Sequence, residues 1–327
     1  MEVFTSILIS SILTVTGLYY VVNDNQGSVD FDLKTEVAIA NDRIKEVGGL
    51  LVGAKTHQTL PRSADILPPN KENDFKEINL DCEAAVAYDL RTGAVLYGKN
   101  EKKLLPIASI TKLMAALVFL DYYPDFNKIY EIKNEDKVEG GKINLFPGEK
   151  VRVMDLFYSS LVASDNMAII AMIHSLGIKE EDFVKKMNEK AAWLGLENTS
   201  FKDPVGLSDN NISTSLDLAR LTQEAVLRKE IAKATTLKEY NFSTLEGRKK
   251  IMYATNELID VYSKNKIDMV GGKTGFTEAA GGCLTGQFSD REGNEVITVV
   301  LGGKNREARF SQTSKLVDWV YNNYQWN

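Results

Sequence analysis

The sequence predicts an α+β domain behind a membrane segment, and three observations carry that reading. Strand-like runs fall at both ends of the region from residue 79 onward, helical runs fill its middle, and an uncharged stretch, Val3 to Val22, comes before both. Strands grouped at the two ends, with helices between, suggest α+β with one sheet closed by sequence-distant strands. The 327 residues are 44% hydrophobic and 26% charged, enough for one large or two modest domains with ample core. A formal charge of −6 and a pI near 5.3 argue against nucleic acid as a partner, because phosphate binding requires a basic face.

Taken in order, VFTSILISSILTVTGLYYVV (3–22) has about the length that crosses a hydrocarbon core as a helix. It lacks a basic region before it and a small-x-small cleavage site after it, so residues 1–25 read as an uncleaved signal anchor rather than a removed signal peptide. The flank NDNQGSVDFD carries no Lys or Arg, which suits the non-cytoplasmic side. The expectation is a single-pass protein of the cell membrane with the rest of the chain extracytoplasmic. Residues 26–78 read as a flexible tether: a short helix could form over 34–50, but 53–77 is polar, proline-punctuated and without periodicity. The main domain is then 79–327, with its boundary near residue 79.

EAAVAYDL and AVLYGK flank RTG, which predicts a β-hairpin. Helices are predicted over 108–120, 153–163, 167–176, 180–195 and 215–227, strands over 266–276, 281–290 and 295–303, and a last helix over 307–324. The first of these helices, ASITKLMAALVFL, is apolar on every side and belongs in the centre of a domain. Its polar opening therefore needs a reason. Pro106 suits a chain about to enter a helix, and Ser109 falls where unpaired backbone N–H groups favour negative charge. Lys112, three residues on, shares its face. Desolvation disfavours the charged form of such a lysine, so it could act as a neutral base toward the Ser109 hydroxyl.

A Ser-x-x-Lys tetrapeptide alone is weak evidence, since it recurs by chance. Two more stretches strengthen it. Ser164-Asp165-Asn166 falls in a break between two apolar helices, and GGKTGFT (271–277) ends a strand pattern with glycines where backbone must approach a ligand closely. S-x-x-K, S-D-N and K-T-G in this order form the motif trio of penicillin-binding proteins and class A β-lactamases.

From about residue 82 to 323 the sequence resembles the serine D-alanyl-D-alanine carboxypeptidases, the low-molecular-mass penicillin-binding proteins. The likeness extends beyond the trio to NLFPGEKVRVMDLFYSSLVASDNMA, LGLENTSFKDPVGLSDNNISTSLDLARL and GGKTGFTEAAGGCL. The resemblance implies the β-lactamase/transpeptidase-like fold, an antiparallel sheet flanked by helices plus a helical subdomain. It implies peptidoglycan stem peptides as substrate, β-lactam antibiotics as covalent inhibitors, and no cofactor or metal. Carried over by motif, Ser109 attacks the carbonyl of the penultimate D-alanine, Lys112 is its general base, and Ser164 relays a proton to the departing D-alanine. Asn166 holds Lys112 and the substrate amide, Lys273 supplies positive field, and Thr274 offers a hydroxyl to the substrate carboxylate. Gly275 completes that motif. The N–H groups of Ser109 and Phe276 form an oxyanion hole, and Arg309, opening the last helix, helps bind the terminal carboxylate.

The chain departs from the family at Asp165, where these carboxypeptidases often carry glycine, and only four residues follow Asn323, where close relatives often continue into a sheet domain. Three alternatives stand beside the carboxypeptidase: a DD-endopeptidase cleaving cross-links, a class A-like β-lactamase, and a non-catalytic wall-binding module. The β-lactamase needs a water-activating glutamate, and Glu197 is the nearest by position, although LGLENTSF matches the carboxypeptidase pattern. The binding module is expected to have lost Ser109 or Lys112. Of the two histidines, His57 lies in the tether and His174 on an apolar helix, so a Ser-His-Asp triad has little support. Cys82 and Cys283 lie on predicted strands whose adjacency the sequence leaves open, and EDKVE (135–139) reads as a solvated loop.

Overall fold

A strand buried on both faces reads as an unbroken apolar run, and AAVAYD is such a run. In the structure, a computed structural model that describes residues 67–72, 77–138, 140–141, 143–262 and 266–326, it is a central strand of the main sheet. In chain order the strands are β1 Asn70–Lys71, β2 Ala84–Asp89, β3 Val95–Lys99, β4 Leu105–Pro106, β5 Ile129–Glu131, β6 Lys150–Arg152 and β7 Ile212–Ser213. There follow β8 Glu239–Ser243, β9 Lys249–Tyr253, β10 Ile267–Thr277, β11 Gly281–Asp290, β12 Glu295–Gly303 and β13 Tyr324–Gln325. The helices are α1 Thr111–Asp121, α2 Val153–Val162, α3 Asn166–Ser175, α4 Glu180–Trp193, α5 Ser215–Val226, α6 Lys229–Thr236, α7 Leu258–Tyr262 and α8 Ala308–Asn323.

Five antiparallel strands run in the order β10-β11-β12-β2-β3, so the early hairpin docks on the late strands as the sequence predicts. Period-two alternation sorts side chains between two layers. Ala84 and Val86 of β2 join Ile297, Val299 and Leu301 of β12 in the core shared with α1, α2, α3 and α5. Ala85, Ala87, Val296 and Val300 face the other way, onto Leu316 and Val320 of α8. The cysteines fall on opposite sides of this division: Cys82 packs with the α8 layer and Cys283 with the main core. Both are free and buried, and burial pushes each thiol up to about 11.

Residues Leu113 to Phe119 of α1 are all buried, as a helix apolar on every side requires. By contrast α4 buries only Phe183, Met187 and Ala191, one face at four-residue spacing, and carries Glu180, Glu181 and Asp182 at its positive end. The structure adds pieces the sequence reading omitted: the small β5–β6 and β8–β9 pairs, α6 and α7. It also pairs Asn70–Lys71, upstream of the boundary expected near residue 79, with Tyr324–Gln325. Among the described residues no helix is long and apolar enough to cross a membrane. The segment expected to do so, 3–22, lies outside the described residues.

Candidate active site

Pro106 pairs with Ile212 across β4 and β7, and the chain then turns through a 3₁₀ segment, Ala108–Ile110, directly into α1. Ala108 holds φ +47, a left-handed conformation unusual for a residue with a Cβ, immediately before Ser109. Ser109 thus stands at the amino end of a buried helix. Two glycines make room for it. A Cβ on Gly275 of β10 would lie 2.9 Å from the Ile107 carbonyl oxygen and 3.2 Å from the Ser109 nitrogen, so the strand passes flush against the turn. Gly206, at φ +89, packs so closely on the Ala108 carbonyl that any Cβ would overlap it.

Lys112 is fully buried and its Nζ touches three oxygens: Ser109 Oγ at 2.9 Å, Asn166 Oδ1 at 2.8 Å and the Val205 carbonyl at 2.6 Å. Burial lowers its pKa to about 7, against the opposing fields of Asp165 and Asp203. A neutral amine has two N–H bonds and one lone pair. Val205 and Asn166 offer only acceptors toward Nζ and take the two N–H bonds, which leaves the lone pair for the Ser109 hydroxyl. Asn166 is held in that orientation by donating from Nδ2 to the Gly140 carbonyl at 3.1 Å.

The break between α2 and α3 presents the second motif. Ser164 sits there at φ +58, with Lys273 Nζ 2.9 Å from its Oγ. Asp165 accepts from Ala168 N at 2.9 Å as the α3 cap and from Asn144 Nδ2 at 2.7 Å. That cap accounts for the departure from glycine, because the carboxylate satisfies a helix N–H and fixes the neighbouring loop. On β10, Lys273 and Thr274 are each 2% exposed. Burial, then the charges of Lys112 and Arg309, hold the Lys273 ammonium well below an ordinary lysine. Arg309, the second residue of α8, donates from Nη1 to the Gly275 carbonyl at 3.0 Å, while its buried Nε–H has no partner among the described residues. Burial lowers this guanidinium to about 10. Phe276, next along β10, lies under the Arg306 guanidinium at 5.0 Å.

The nine residues singled out by the sequence therefore fall on four neighbouring pieces: the 3₁₀ turn with α1, the α2–α3 break, β10 and the start of α8. Sequence reasoning missed the loop Asp203–Ser208. Its Asp203 carboxylate accepts from the N–H of Val205 at 2.7 Å and of Ser208 at 2.6 Å, and so aims the Val205 carbonyl at Lys112. A carbonyl ligand has no side-chain signature; the Asp-Pro-x-Gly string was the only signal. Glu197 is exposed and lines a separate surface hollow with Lys102, Asp217 and Arg220, away from these groups. His174 bonds Asp136 through Nδ1 at 2.6 Å and takes no part in the motif contacts.

Comparison with known proteins agrees with this geometry. Residues 71–305 match the peptidase S11 family, D-alanyl-D-alanine carboxypeptidase. The chain is 36% identical to D-alanyl-D-alanine carboxypeptidase DacF of Bacillus subtilis, over 76% of this chain and 64% of that protein. It is 31% identical to a D-alanyl-D-alanine endopeptidase of Pseudomonas aeruginosa, over 77% of this chain and 81% of that protein. It thus spans just under two thirds of the length of the Bacillus relative, 64%. A mutant of the Streptomyces K15 DD-transpeptidase superposes with a TM-score of 0.70 at 27% identity, covering 75% of this chain and 100% of that one. A D-alanyl-D-alanine carboxypeptidase from Mycobacterium tuberculosis gives 0.70 at 26% identity, covering 79% and 99%. The penicillin-binding transpeptidase fold is therefore the fold of the described domain. With the family matched over most of the described residues and the three motifs assembled around one serine, the chain belongs to the peptidase S11 family of D-alanyl-D-alanine carboxypeptidases.

Proposed function

We propose that this protein is a serine DD-carboxypeptidase that removes the terminal D-alanine from peptidoglycan stem peptides through an acyl-enzyme on Ser109. One observation carries the proposal: a fully buried Lys112, its pKa lowered to about 7, with Nζ 2.9 Å from Ser109 Oγ. Lys112 takes the hydroxyl proton as Oγ attacks the penultimate carbonyl. The close pass of β10 at Gly275 against the Ser109 turn supports an oxyanion hole made by the N–H groups of Ser109 and Phe276, worth about 3 kcal/mol per donor. Ser164, joined to Lys273, relays to the departing amine the proton that Lys112 took, so that Lys112 is neutral again and Ser164 keeps its hydroxyl. An arriving carboxylate raises Lys273 again, because opposite charge favours the ammonium. Water then cleaves the ester. A β-lactam enters by the same attack and is released slowly.

The terminal carboxylate is read by Thr274 and by Arg309, whose Nε–H, without a partner among the described residues, favours an anionic guest. Arg309→Ala is expected to cost on the order of 2 kcal/mol in kcat/KM, about thirtyfold, on a peptide ending in free D-alanyl-D-alanine. The same peptide amidated at its end should lose little, since it brings no charge. Equal losses on both peptides would make Arg309 structural, and preferred cleavage of blocked peptide would favour an endopeptidase.

Val3–Val22 supports single-pass attachment at the cell membrane with the enzyme outside. Full-length protein is expected to sediment with membranes and resist carbonate extraction. Release into the supernatant by carbonate would contradict the anchor.

A further inference from the structure

Thr274 does not stand alone. Its Oγ1 lies 2.6 Å from the Oγ1 of Thr255, a residue of no motif placed between β9 and α7. Thr255 is tied to three parts of the site at once. Its N–H donates to the Val162 carbonyl at 3.1 Å, two residues before Ser164. Its hydroxyl meets Thr274, and its carbonyl lies 3.5 Å from Nη2 of Arg309. A pair of hydroxyls holds two protons, and the bond between them uses one. The other is available to a third acceptor.

From this geometry we infer that Thr255 is a specificity-determining residue: it acts with Thr274 as one hydroxyl pair that delivers its spare proton to the substrate's terminal carboxylate beside Arg309. The inference rests on the carboxypeptidase reading above and adds a residue to it. Thr255 donates to Thr274, which frees the single Thr274 proton for the carboxylate. A carboxylate, accepting only, sets this direction, while a terminal amide presents donors of its own and gains less from it.

The test compares kcat/KM on a stem peptide ending in free D-alanyl-D-alanine and on its amidated twin, using full-length protein and the variants Thr255→Val, Thr255→Ala and Thr255→Ser. Thr255→Val and Thr255→Ala should lose about tenfold on the free acid and less than about threefold on the amide, as for a hydrogen bond to a charged group. Thr255→Ser, which keeps the hydroxyl, should retain the preference. Two variants lacking the hydroxyl guard against one failing to fold. If the parent prefers the free acid and both hydroxyl-free variants keep that preference, the role of Thr255 is overturned while the carboxypeptidase reading stands. If the parent cleaves both peptides equally, the reading falls and the inference with it. A loss shared equally by both peptides would also overturn the inference, by making Thr255 a structural tie.

Discussion

Ser109→Ala is expected to abolish covalent labelling by a fluorescent penicillin and to lower turnover of a D-alanyl-D-alanine peptide by a factor on the order of 10⁴ or more. The size follows from what is removed. Oγ forms the covalent bond, and its neighbours were built around it: Ala108 is held at φ +47 and β10 is stripped to glycine at Gly275 so that the turn and strand can meet. The substitution removes one exposed-to-ligand oxygen and leaves the apolar packing of α1 intact, so the variant should fold. The structure also supplies a rival. Ser164 has its own lysine at 2.9 Å and its own left-handed backbone. Labelling that survives in Ser109→Ala and vanishes in Ser164→Ala would move the nucleophile there.

Lys112→Arg should lose activity by a factor on the order of 10³, within the range general-base removal costs. Arginine keeps the charge and loses the function, because guanidinium stays protonated. In the parent, kcat/KM should rise with pH and level off above about 7. The sign follows from the role: below that pH the amine carries a proton and has no lone pair for Ser109, and above it the base is free. An activity in Lys112→Arg within about tenfold of the parent, or a profile flat from pH 5 to 9, would contradict the base assignment.

What the sequence disclosed and what it hid divide along a physical line. Ser109, Lys112, Asn166 and Lys273 were legible because their chemistry resides in side chains at fixed spacings. The α1 helix was legible because an apolar run of that length has few other destinations. Val205 acts through its carbonyl, which every residue possesses, and Thr255 through a hydroxyl brought to Thr274 by a hairpin the pattern barely signals. In β8 and β9 only Phe242 and Met252 are buried, so the two strands offer almost no alternation to read. The need for glycine at 206 is likewise invisible until the loop is seen against Ala108. The cysteines show the limit from the other side: both were expected on strands, whereas Cys82 falls in the bend before β2, and nothing local reveals that it packs with the α8 layer and Cys283 with the main core.

The central claim is that Ser109, deprotonated by Lys112, carries the peptide before water releases it. The most direct measurement is mass spectrometry of full-length protein in detergent, quenched rapidly while it turns over a stem peptide ending in D-alanyl-D-alanine, followed by mapping of its fragments. The account predicts free D-alanine, a peptide shortened by that residue, and a transient adduct of the shortened peptide on the fragment containing Ser109. Product formed with no adduct at Ser109, or with the adduct at Ser164, would contradict it.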